Sequence, residues 1–80
     1  MRLLGNIPHP QLLISVFRSN TKIILKFEIG PFEQVYKFLE TELIYDAASI
    51  SKLIDETMLS KVFEIFDEMN VNYKSINEKK

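Results

Sequence analysis

His9 is the one histidine in a chain of 80 residues that holds no cysteine. A lone imidazole between Pro8 and Pro10 can carry a proton or supply one metal ligand, but a closed zinc site draws on several Cys and His side chains. His9 therefore reads as an exposed loop residue. Ser15 and Ser49 are formally available as nucleophiles beside His9 and an aspartate. Neither lies in the Gly-x-Ser-x-Gly turn that presents a hydroxyl for attack.

Carboxylates cluster at Asp55-Glu56 and at Glu64, Asp67 and Glu68, the latter at the spacing of one helix face. Paired acids on such a face can exchange protons or hold Mg²⁺ beside phosphates, given a pocket that sets them apart from water. Leu59, Val62, Phe63 and Phe66 run along the opposite stripe, so the acids read as a solvated surface. Phe63, Phe66 and Met69 in turn read as core for a sheet, not as a cofactor groove. The chain also lacks a GxGxxG, a P-loop, an HExxH and an EF-hand loop. The expectation is a protein that is not an enzyme and takes no metal or cofactor.

Composition sets the frame for what remains. The chain is 46% hydrophobic and 26% charged with only two glycines and three prolines, the balance of a folded domain and not of a disordered segment. Eighty residues make one α+β domain, 1–80, near the small end of what buries a self-sufficient core. Pairing with a copy of itself would help. The opening MRLLGNIPHP has too short an apolar run for a signal-peptide core or a spanning helix, which points to a cytoplasmic protein with no membrane contact. Net charge is -1, so no overall basic footprint draws nucleic acid. Residues 1–40 nevertheless hold Arg2, Arg18, Lys22, Lys26 and Lys37 against Glu28, Glu33 and Glu40, and only this half could gather phosphate contacts.

The elements follow from periodicity. Residues 1–10 read as an extended, irregular N-terminal segment, because Pro8 and Pro10 push their predecessors toward extended geometry. Gln11–Arg18 and Lys22–Ile29 read as a hairpin about Ser19-Asn20, pairing Val16 with Ile23, Ile14 with Leu25 and Leu12 with Phe27. Those six apolar residues share a face. Residues 32–39 fit a helix through Phe32, Val35, Tyr36 and Leu39, with Pro31 at its first position. They also fit a strand that turns back at Gly30-Pro31 and sets Tyr36 opposite Leu25, Phe38 opposite Ile23 and Glu28 opposite Glu33. The strand is preferred, because Val, Tyr and Phe suit a pleated surface and a third strand stabilises a hairpin in water.

Beyond Glu40 two helices are expected, about Ser49–Asp55 and Met58–Met69, since Ile50, Leu53 and Ile54 are out of phase with the later stripe. Asp55 or Thr57 would cap the second. Val71-Asn72-Tyr73 is open between an edge strand and simple packing, and residues 75–80 read as a frayed tail. The fold expected is thus a three-stranded antiparallel β-meander followed by two C-terminal helices packed on one sheet face.

Two short helices cover one face of such a sheet but hardly both. The second face would show Leu13, Phe17, Ile24, Val35 and Leu39 among lysines and glutamates, an apolar centre with a charged rim that suits a homodimer or a protein partner. The alternative is a module for single-stranded nucleic acid using Arg18, Lys22, Lys26 and Lys37, with Phe17 to stack on bases. Glu28 and Glu33 argue against it. IPHPQLLISVF, KFEIGPFEQVYKF and the tail KVFEIFDEMN resemble a family of short bacterial proteins of unknown function; the resemblance implies a bacterial, cytoplasmic setting and no activity.

Overall fold

The structure, a computed structural model, describes residues 1–79. Four strands, Arg2–Ile7 (β1), Leu13–Ser19 (β2), Lys22–Ile29 (β3) and Phe32–Leu39 (β4), form one antiparallel meander in the order β1-β2-β3-β4. Two helices follow, Ala47–Ser51 (α1) and Glu56–Glu78 (α2). The α+β class holds, but the sheet has four strands and not three, because part of the N-terminal segment expected to be irregular is β1.

Two tight turns set the registers of the later strands. Asn20 and Gly30 each take a positive φ, 56° and 54°, at the first central position of a two-residue loop. Asn and Gly are the residues that accept this conformation most readily. At Gly30-Pro31 the outcome is the expected one, with Leu25 opposite Tyr36, Ile23 opposite Phe38 and Glu28 opposite Glu33. At the first turn the loop is Asn20-Thr21, not Ser19-Asn20, so Val16 faces Leu25 and Ile14 faces Phe27. That offset of two residues keeps every side chain on its expected face.

β1 joins β2 with a bulge: Leu3 pairs with Phe17 and Gly5 with Val16, leaving Leu4 as the extra residue. Gly5 is where the sheet meets α1. A Cβ there would sit 3.2 Å from the Cβ of Ala47, so the close approach of helix and strand depends on the missing side chain.

The covered face carries the core. Leu12, Ile14, Val16, Ile23, Leu25 and Phe27 are buried from the sheet, and Ile50, Val62 and Phe66 from the helices, with Tyr36, Phe38, Leu59 and Phe63 packed around them. Gln34 is a buried polar residue of this face. Its Nε2 donates to the Val62 carbonyl at 2.9 Å while its Oε1 accepts from the Tyr36 hydroxyl at 3.0 Å, which ties α2 to β4.

The helices begin at aspartates. The Asp46 side chain accepts from Ser49 N at 2.7 Å while Ser49 Oγ accepts from Asp46 N at 3.0 Å, a reciprocal cap that starts α1 at Ala47 instead of Ser49 and leaves it complete at Ser51. Asp55 caps α2 through Met58 N at 2.8 Å, at the bend expected there. α2 then runs unbroken through Val71-Asn72-Tyr73 to Glu78, where an edge strand was one expectation and a frayed tail another. Lys79 closes its C-terminus, and Lys80 lies outside the described residues. At 23 residues α2 is about 35 Å long, against about 27 Å for an eight-residue strand, so its last turns project past the sheet. The edge-on contact of Tyr73 with Phe32, 5.3 Å between ring centroids, marks the end of the overlap.

Candidate functional site

His9, Ser49, Asp55 and Glu64, four of the residues with catalytic potential, are engaged in local structure. His9 is half-buried, not exposed: its Nδ1 accepts from the backbone of Gln11 and of Leu12, both at 3.1 Å, and its ring lies 6.0 Å from that of Phe63. It shapes the loop between β1 and β2. The Ser49 hydroxyl accepts from Tyr45 N and Asp46 N and donates to the Asp46 carbonyl. Asp55 is a helix cap, and Glu64 pairs with Lys61 at 3.2 Å on the exposed side of α2. Among the described residues no three His, Asp or Glu side chains converge as a metal site.

The other surface of the sheet is the site with organisation. Neither helix crosses it, and strand alternation lays it out in four cross-strand rows. Ser19, Lys22 and Leu39 form the row nearest the Asn20-Thr21 turn; Leu3, Phe17, Ile24 and Lys37 form the next. Asn6, Ser15, Lys26 and Val35 follow, and Leu13, Glu28 and Glu33 lie nearest the Gly30-Pro31 turn. Leu3, Leu13, Val35 and Leu39 are 54%, 52%, 48% and 67% exposed. The expected set Leu13, Phe17, Ile24, Val35 and Leu39 is therefore gathered on one face. Two of its members are less open than expected: Ile24 is buried among its neighbours, and Phe17 is half-buried.

Sequence reasoning missed Leu3, which lies across from Phe17 and belongs to the same patch. With residues 1–10 taken as irregular, nothing placed it on the sheet.

Charge on this face is polarised along the strands. Lys22 and Lys37 stand toward one end, and Glu28 and Glu33 face each other at the other. Lys26 bridges the acidic end, with its Nζ 3.2 Å from Glu28 and 3.4 Å from Glu33, and lies 5.4 Å from the centre of the Phe17 ring. The hydrogen bond to Glu28 raises the Lys26 pKa above its ordinary 10.5, with Glu33 adding to the rise and desolvation opposing it. Three charges and one ring thus hold each other in place.

Arg18, expected with the lysines, is on the covered side. It pairs with Ile23 in the sheet, binds Glu40 at 2.8 Å and donates to the Tyr45 carbonyl at 3.3 Å, fastening the segment before α1 to β2. The structure brings Lys22, Lys26 and Lys37 together on one face and leaves Arg18 out. Comparison of the chain with known protein families, with curated proteins and with solved structures finds no match. No helix among the described residues is long and apolar enough to cross a membrane.

Proposed function

We propose that the protein is a cytoplasmic, non-enzymatic interaction module that associates with other protein chains, itself included, through its open sheet face. One observation carries this reading: four large aliphatic residues, Leu3, Leu13, Val35 and Leu39, about half or more exposed, are presented on one sheet face that no helix covers. Exposed aliphatic side chains on an uncovered face, interleaved with the charges that run along β3, suit a contact surface.

Single-stranded nucleic acid has less support as the ligand. Phe17, the aromatic ring of this face, has its approach shared with Lys26, and that lysine is already neutralised by two glutamates. Stacking modules need rings free to receive bases and cations free to meet phosphates.

The test is native mass by light scattering over a dilution series, for the wild type and for Leu39→Asp, a change at a 67% exposed position. The wild type is expected at twice the 9.4 kDa chain mass, and Leu39→Asp at the mass of one chain with unchanged circular dichroism. An assembly indifferent to Leu39→Asp overturns the role of this face. Tight binding of a single-stranded oligonucleotide that weakens steeply with salt would favour the nucleic-acid reading instead.

A further inference from the structure

Resting on that reading of the open face, we infer that its occupant is a second copy of this chain, related by a two-fold axis that lies between the sheets and runs perpendicular to the strands. Two sheets stacked face to face admit two in-plane two-fold axes, one along the strands and one across them. The charge layout distinguishes them.

An axis along the strands keeps each end of the face over the same end of its partner. Lysines would then gather with lysines, and glutamates with glutamates. An axis across the strands, passing near Leu25, Val16 and Tyr36, reverses each strand over its own copy. Because Val16 pairs with Leu25 and Leu25 with Tyr36, these residues mark one level across the sheet. Reversal about that level places Lys22 over Glu28 of the second copy, and symmetry makes the contact twice. Lys37 comes over Val35 of the second copy, one row from Glu33, within reach of a lysine stem.

On β2 the same operation also matches side-chain sizes. Phe17 and Ser15 are equidistant from Val16 on β2, so the ring of one copy lies over the small Ser15 of the other. Leu13 likewise meets Ser19. Large side chains over small ones are what two interdigitating sheets about 10 Å apart require. The rotation of roughly 30° between aligned sheets shifts the end contacts sideways, which long lysine side chains can span.

Area is consistent with a specific, modest dimer. Four strands of up to eight residues present roughly 500 Å² in projection, hence roughly 1,000 Å² for two copies, near the lower bound for a specific interface. Such a dimer should come apart on dilution.

The test is a charge exchange between chains. Lys22→Glu and Glu28→Lys are prepared separately, their folding is checked by circular dichroism, and the mass of each is measured alone and as an equimolar mixture. Each alone sets like charges together and should weaken dimerisation at least ~10-fold. In the mixture the introduced glutamate of one chain meets the introduced lysine of the other, while the native Glu28 and Lys22 that remain face each other. Both contacts are then attractive, and a mass of two chains should return. The residues paired with Lys22 across the sheet, Ser19 and Leu39, are uncharged, and Lys22→Glu breaks no ion pair among the described residues of the monomer.

In this arrangement Leu39→Asp sets a carboxylate against Glu33 of the second copy. A dimer that Leu39→Asp breaks but that ignores the charge exchange overturns the two-fold arrangement and keeps the face. A dimer indifferent to both changes overturns face and arrangement together and directs attention to the strand edges. A wild type that stays at the mass of one chain at every concentration overturns the second copy as occupant.

Discussion

The two faces of this sheet are made by the same strands, residue by residue in alternation, yet they differ almost completely in what covers them. Ile23 and Phe27 are fully buried under α2 and its neighbours, while Leu13, Val35 and Leu39, adjacent to covered positions in sequence, stay open. The difference lies in the helices and not in the strands. α1 and α2 supply Ile50, Val62 and Phe66 to one side only, so one face is the core of the monomer and the other awaits a surface.

The strongest way to break that comparison is to truncate the same kind of side chain on each face. Phe27→Ala removes a fully buried ring and should cost about 3–5 kcal/mol of stability, enough to threaten folding of so small a domain. Leu39→Ala, at 67% exposure, should stay within about 0.5 kcal/mol of the wild-type monomer. Urea denaturation at low protein concentration measures both. Comparable losses at the two positions would mean that the open face is buried in the monomer after all.

A smaller effect is expected where the covered face depends on an absent side chain. Gly5→Val puts atoms into the 3.2 Å approach to Ala47 and should cost about 1–3 kcal/mol by displacing α1 from β1. Hydrogen exchange should then speed up in β1 and α1 while the β3–β4 ladder stays protected. Uniform acceleration would show that β1 folds as one unit with the rest of the sheet.

These two positions also show what can be read from the sequence. The Phe27 face was legible because alternation fixes parity: a strand slipped by two residues buries the same set, so the hairpin could be misplaced at its turn without misplacing its core. The exact turn was harder, because it hangs on Asn20 accepting a left-handed backbone while Ser19 pairs with Lys22. β1 was hidden by its bulge. With Leu4 as an extra residue and Gly5 next to it, the alternation that identifies a strand is interrupted at its centre.

The helices were legible in number, and α2 in its cap, but less so in extent. Asp46-Ala47-Ala48-Ser49 is a capping sequence with serine in the place more often held by glutamate, and the apolar trio Ile50, Leu53, Ile54 drew attention downstream of it. For α2, the stripe Leu59, Val62, Phe66, Met69, Tyr73, Ile76 keeps three- and four-residue steps to the end, a helical signal stronger than the local β-preference of Val71 and Tyr73. On the open face the composition was legible but not its division. Arg18 is even-numbered on β2, with Ile14 and Val16, and this parity assigns it to the covered side with Glu40.

The least perturbing way to sharpen the contrast between faces is pH, through Lys26. The covered face packs through apolar side chains, whereas the open face holds an ammonium between two carboxylates. Because Glu28, and secondarily Glu33, raise the folded-state pKa of Lys26 above 10.5, the folded form binds this proton more tightly than the unfolded chain does. The contribution is therefore fully present below the unfolded lysine value and is lost as pH rises through the higher folded one. Comparing wild type with Lys26→Met isolates it, since the other alkaline titrations are common to both. The difference in thermal midpoint should be small and flat from about pH 6 to 9 and should shrink above about 10.5. A difference that already declines near neutrality would mean that Lys26 is not held by Glu28 and Glu33, and that the acidic end of the face is free to pair its charges elsewhere.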